Sequence, residues 1–287
     1  MRKTLTAILF STVCYAGVPA SGAPIAVTLT TADGLGADSF VRGSGAADPI
    51  AGTPFRETNY GDRDNAAVKF IRSGIGSGSL TINYESSFTR TAYLRFDLSG
   101  ISGTVTAATL SLGIRATENV STIPVIFNTL FDGHAQDAAP GVGGWSESGL
   151  TMLNSGLLDD PAALLNPINT VAANLPAANV PSTTTIFDWS HPGLVDALNA
   201  DTNGLITFVI NGAPVTNSLG ANFWTKENLE GGFIPTLQLT FEADEVASVA
   251  EPGLPVLLGL GLAGLGLIRR RRAAHRITRT ASLPDPA

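Results

Sequence analysis

Residues 91–98 alternate strictly between two kinds of side chain, and that period of two limits the fold more than any other feature. Ala92, Leu94, Phe96 and Leu98 fall on one side, and Thr91, Tyr93, Arg95 and Asp97 on the other. A strand turns successive side chains to opposite faces, so the segment reads as a half-buried antiparallel strand with its second set toward solvent. Residues 105–115 repeat the pattern, with Ala108, Leu110, Leu112 and Ile114 opposing Thr109, Ser111 and Arg115. Strands with one apolar face must bury it against a second layer, which points to an all-β fold.

The rest of the chain agrees. Residues 25–30, 38–42, 66–72 and 80–84 are short extended runs rich in β-branched residues, with a Gly/Pro/Asp loop at 43–64 and a flexible hairpin connection at 73–78. Residues 123–131 are evenly apolar, as in a strand buried on both faces. Residues 151–181 have no clean period and read as a long loop with one short helix. Strands resume at 184–189, 204–211, 221–226 and 235–242, and Leu194, Val195 and Leu198 stand at helical spacing within 191–199. Strands in such number with one further short helix make an antiparallel β-sandwich.

Both ends carry oily segments. Arg2 and Lys3 precede an apolar run and small-residue sites at 18–20 and 21–23, so residues 1–23 read as a secretory signal peptide. Cys14 lies within it, which leaves the remainder without thiol chemistry. At the other end, residues 252–268 carry no charge. As a single hydrophobic helix they would extend about 25 Å, slightly short of the ~30 Å core of a bilayer. Arg269, Arg270, Arg271 and Arg272 follow, a cluster that stays on the cytoplasmic side. The expected organisation is a leader, a domain at 24–243, a linker at 244–250, a membrane-directed segment at 251–272 and a basic, disordered tail at 273–287. Residues 24–250 hold 9 Lys+Arg against 22 Asp+Glu, a net charge of −13. A domain this acidic does not hold nucleic acid by neutralising phosphates.

Ala250-Glu251-Pro252-Gly253, the Gly/Leu-rich run and the four arginines together resemble the PEP-CTERM sorting signal of Gram-negative bacteria, with Ala250 where the pattern has its first proline. The resemblance implies an exosortase as partner. This membrane cysteine protease would cut near Glu251 and Pro252, so Glu251, Pro252, Gly253 and the arginines are the processing residues. The plain alternative is a tail anchor that stays in place. Within the domain, Asn59-Tyr60-Gly61, residues 91–99, residues 107–112, residues 145–151, Asn203-Gly204-Leu205, and Lys226-Glu227 before residues 235–239 resemble, in order, the DNRLRE family of secreted domains. That family overlaps with carbohydrate-binding modules described as alginate-binding, and it usually has Arg or Ser where this chain has Lys226. It implies a two-sheet jelly roll that binds or displays, with no catalytic residues to carry over.

A search for chemistry finds little. Gly144-Trp145-Ser146-Glu147-Ser148 lacks the last glycine of a nucleophile elbow. His134 and His191 have no second histidine or carboxylate at metal-ligand spacing and read as loop residues. Asp62-Arg63-Asp64-Asn65 begins like a calcium loop but lacks the closing glycine and glutamate. A structural Ca²⁺ on loop carboxylates stays open, with no ligand set assigned. Sugar recognition needs aromatic faces and polar forks. The candidates are Tyr93 and Arg95 on the solvent face, Arg115 on a neighbouring strand if sheet order is sequential, and Trp145; Trp189 and Trp224 read as core.

Three readings follow. The first is a non-catalytic surface or matrix protein of a Gram-negative envelope, transiently held in the inner membrane and kept near exopolysaccharide. The second is a binding module for an anionic polysaccharide such as alginate. The third is a polysaccharide lyase or hydrolase, against which the scarcity of histidine, thiol and triad motifs argues.

Overall fold

Apolar residues at every second position build strands along almost the whole domain. In the computed structural model they run β1 (Ile25–Thr30), β2 (Ala37–Arg42), β3 (Asn65–Lys69), β4 (Arg90–Asp97), β5 (Thr104–Thr117) and β6 (Thr122–Leu130). The short helix α1 (Pro161–Leu164) leads into β7 (Leu165–Pro167), β8 (Ala173–Pro176) and β9 (Ile186–Trp189). After helix α2 (Pro192–Ala200) come β10 (Leu205–Gly212), β11 (Gly220–Trp224) and β12 (Thr236–Glu242). The structure describes residues 23–69, 82–86, 88–117, 122–169, 172–178, 185–213 and 219–243. The expected leader, the 73–78 connection, the linker and the C-terminal segments lie outside them. The chain divides into two units, Met1–Asp244 and Glu245–Ala287, and every described residue belongs to the first. Among the described residues no helix is long and apolar enough to cross a membrane.

All pairings between these strands are antiparallel. They follow the order β1-β12-β5-β11-β3-β4-β10-β6-β7, with β2 added to β4, β8 to β6 and β9 to β5. β5 sets the shape. Residues Thr104 to Ser111 pair with β12, while Ile114 to Thr117 pair with β11, so the sheet continues around this long strand and turns back over itself. Phe127 on β6 stacks on Trp189 of β9 at 4.0 Å, although those strands do not pair. The apolar face read from the sequence, Ala92, Leu94 and Phe96 with Leu110, Leu112 and Ile114, is fully buried in the same core as Phe208, Phe223, Leu237 and Leu239. Burying each such side chain contributes about 1.5–3 kcal/mol.

The opposite face of β4 departs from expectation. Tyr93 is 0% exposed and Arg95 2%, so neither is a solvent-facing residue. Residues after β6 cover them. Trp145, Leu150, Met152, Leu157 and Leu164 pack with Tyr93, Val41 and Val209 into a second apolar cluster on the outer side of β2, β4 and β10. Alternation shows that two faces differ; it does not show what lies on the second. The polar members of that face find partners inside: Thr91 Oγ1 donates to Asn211 Oδ1 at 2.7 Å. The cover also buries both faces of β6 from Phe127 onward, while Pro124 and Ile126 are only half-buried.

Two shorter expectations also change. Residues 151–181 hold the expected short helix, with Asp160 capping α1 through bonds to Ala162 N and Ala163 N, but also β7 and β8 on the β6 edge. Residues 82–84 are not a strand. Ile82 makes an isolated bridge, and Asn83 closes a turn by accepting from Glu85 N through Oδ1 and from Ser86 N through its carbonyl.

Candidate functional site

Five segments distant in sequence meet at one end of β4. β4 supplies Arg95, whose alternation points it under the cover. β2, paired to β4 with Ala37 opposite Arg95, brings Asp38. The cover brings Trp145 and Glu147, the segment after β11 brings Lys226 and Glu227, and the loop before β3 brings Asn59 and Gly61. Most are residues of the six motifs quoted above, and here they adjoin a cavity of about 700 Å³ lined by Leu35, Asn59, Arg95, Glu147 and Glu227.

Arg95 anchors the cover. Its Nε donates to Leu35 O at 2.7 Å and its Nη1 to Trp145 O at 2.7 Å, while the guanidinium lies 4.6 Å from the Trp145 ring centre. The indole packs edge-on against Tyr93 at 5.7 Å and donates from Nε1 to Thr207 Oγ1 at 3.1 Å. Burial lowers the Arg95 pKa, opposed first by Glu147 and then by Asp137 and Asp97. Asn59 clamps the same cover, its Nδ2 donating to Glu147 O at 2.6 Å and Leu150 O at 2.8 Å. Gly61 is needed there because a Cβ would run into the Glu147 carbonyl.

Beside Arg95 the carboxylates converge. Lys226 Nζ lies 2.6 Å from Glu147 Oε2 and 3.9 Å from Glu227 Oε1. Asp38 Oδ2 accepts from Thr31 Oγ1 at 2.5 Å and from Lys226 N at 3.0 Å. Burial raises the Asp38 pKa, and burial with the neighbouring Asp38 and Glu147 pushes Glu227 up to about 9.

No protein-family model matches this chain, and no curated protein does either. The geometry therefore carries the functional argument.

Of the expected ligand residues, the structure brings Tyr93, Arg95 and Trp145 together and buries all three; Trp145 is 4% exposed. Arg115 is elsewhere in the pairing order. β5 pairs with β11, β12 and β9 rather than with β4, and Arg115 makes an ion pair with Asp64 at 3.2 Å beside the Trp224 ring. Asp64, from the segment that begins like a calcium loop, is thus occupied. Trp189 and Trp224 are core, as expected. The histidines are helix caps rather than plain loop residues: His134 Nδ1 accepts from Gln136 N at 3.1 Å, and His191 Nδ1 from Gly193 N at 3.0 Å. Glu251, Pro252, Gly253 and Arg269 to Arg272 lie outside the described residues.

The sequence reading passed over Asp38 and gave Glu147 and Glu227 no role. One signal was present: Asp38 is an acid inside a strand whose neighbours Ala37, Phe40 and Val41 are apolar.

A second acidic group, Asp132, Asp137 and Asp201, sits near the start of β10. Asn203 Nδ2 donates to Asp137 Oδ2 at 2.8 Å, and Gly204, at φ +75°, turns the chain into β10. Burial raises Asp137 from its ordinary 3.8 to about 7; the Asn203 bond opposes this, Asp201 and Asp132 add to it, and Arg95 opposes it. A carboxyl raised on folding contributes stability that is complete below pH ~4 and lost as the pH climbs through about 7. Asp137→Asn keeps an acceptor for Asn203 without the buried charge. At pH 8 it should gain about 1–3 kcal/mol over the parent, or roughly 3–10 °C in Tm. At pH 4 the two should melt together. Parallel Tm curves across that range would contradict this account.

Proposed function

We propose that this chain is a non-catalytic surface or matrix protein. In this reading residues 24–243 form a jelly-roll sandwich. It is exported by the leader and sorted by an exosortase through residues 251–272, then kept near exopolysaccharide at the envelope of a Gram-negative bacterium. One observation carries the choice among the three readings. Arg95, the foremost sugar-binding candidate, gives its guanidinium to the Leu35 and Trp145 carbonyls beneath a covering segment. The face that a glycan would need is thereby packed against the protein itself. A display role needs no such face, whereas a module for alginate-like polymers does. An enzyme reading draws no support from His134 and His191, whose Nδ1 atoms cap helices.

The sorting step is tested by mass spectrometry of the mature C-terminus, in producing cells with and without the sorting protease. The expected end lies near Glu251 when the protease is present, with residues 269–287 retained when it is not. Retention of those residues in both would refute processing and leave a tail anchor.

A further inference from the structure

Asp38, Glu147 and Glu227 each engage one carboxylate oxygen and leave the other idle. Asp38 Oδ2 takes the Thr31 hydroxyl and the Lys226 amide, Glu147 Oε2 takes the Lys226 ammonium at 2.6 Å, and Glu227 Oε1 lies 3.9 Å from that ammonium. Asp38 Oδ1, Glu147 Oε1 and Glu227 Oε2 are shut off from solvent and have no hydrogen-bond partner. Asp38 as a whole is 0% exposed. One oxygen from each of the three acids lies within 4.8 Å of one from each of the others.

A buried acceptor without a partner costs about 1–3 kcal/mol, so three facing one another call for a common partner. One proton bridges only two of them. Three carboxylates less one ammonium leave two negative charges, the charge of a single divalent cation. The donors are all oxygens, which suits a hard ion. The 4.8 Å ceiling on their separations is twice a Ca²⁺–O distance of about 2.4 Å, and exceeds the span of an octahedral Mg²⁺ shell with bonds near ~2.1 Å. Asn59 and Gly61 brace Glu147, strand β2 fixes Asp38, and the adjoining cavity has room for waters to complete six to eight ligands, roughly what Ca²⁺ takes. Asp132, Asp137 and Asp201 have no idle buried oxygen of this kind among the described residues, and Asp62 to Asn65 contribute no carboxylate to either group.

We propose that Asp38, Glu147 and Glu227 bind a calcium ion that ties the N-terminal strands, the cover and the segment after β11 together. The site stands independently of how the chain is sorted. The full chain, purified in mild detergent and stripped with EDTA, is titrated with CaCl₂ by calorimetry and melted with and without it. Half-saturation is expected near roughly 10⁻⁴–10⁻³ M, as in extracellular calcium modules. At about a hundredfold excess over Kd the ion stabilises by about 2.7 kcal/mol, which is roughly 5–10 °C for a domain of this size. Glu227→Gln should weaken binding at least about tenfold and melt no lower than the parent in EDTA, since a mutual repulsion has gone. Asp132→Asn should keep the full calcium response. No heat and an unchanged Tm in the parent would overturn the proposal in favour of a proton-held cluster. So would a Glu227→Gln protein that responds to CaCl₂ as the parent does, or an equal response to MgCl₂.

Discussion

Arg95→Ala should lower the unfolding free energy by about 3–5 kcal/mol. The guanidinium fits two carbonyls from different parts of the chain, Leu35 O and Trp145 O, each at 2.7 Å, and stands over the Trp145 ring. Charge-assisted hydrogen bonds of this kind are worth about 1.5–3 kcal/mol each, and truncation leaves both carbonyls without their donor in a closed space. Arg95→Lys should restore less than half of the loss, because an ammonium is a point donor and cannot reproduce the planar fork. Urea unfolding followed by tryptophan fluorescence reads the effect as a lower midpoint with an unchanged slope. A loss below about 1 kcal/mol would mean that the cover is held by its apolar contacts alone.

Trp189→Ala should cost a similar amount, about 3–5 kcal/mol. The indole lies against Phe127 at 4.0 Å and the His191 ring at 5.7 Å. It is the side chain through which short β9, an edge strand paired only with β5 among the described residues, reaches β6. Its removal leaves a void that the paired backbone on either side cannot collapse to fill. Ile186→Ala on the same strand is the control. That residue is 44% exposed, and its loss should fall within about 0.5 kcal/mol. Comparable losses at the two positions would show β9 to be held by backbone pairing rather than by the stack.

Strand positions were legible because alternation is a local property, fixed by the geometry of a single strand. The core set Ala92, Leu94, Phe96, Leu110, Leu112 and Ile114 followed from it directly. Helix α2 was legible for the same reason, with Leu194 and Leu198 one turn apart and buried. What covers Tyr93 and Arg95 was not legible, since the covering residues come some fifty positions later, from a stretch with no period of its own. The acidic site was hidden by the same kind of distance. Asp38, Glu147 and Glu227 become neighbours only when three ends of the fold are brought together, and no spacing along the chain encodes that. Motif order drew attention to Asn59, Gly61, Arg95, Trp145, Glu147 and Glu227, but as a surface for sugar. Their shared position against the cover is instead one of mutual support.

The pairing of β1 with β12, and the bond from Lys226 N to Asp38 across 188 positions, impose a timetable on the nascent polypeptide. At about 5–20 residues per second of ribosomal output, β1 waits roughly 10–40 s before its counterpart exists. During that interval its edge is open to foreign strands, so a holdase has a defined target at the amino end. A chain that cannot close early also stays extended, which is the condition in which a narrow secretion channel accepts it.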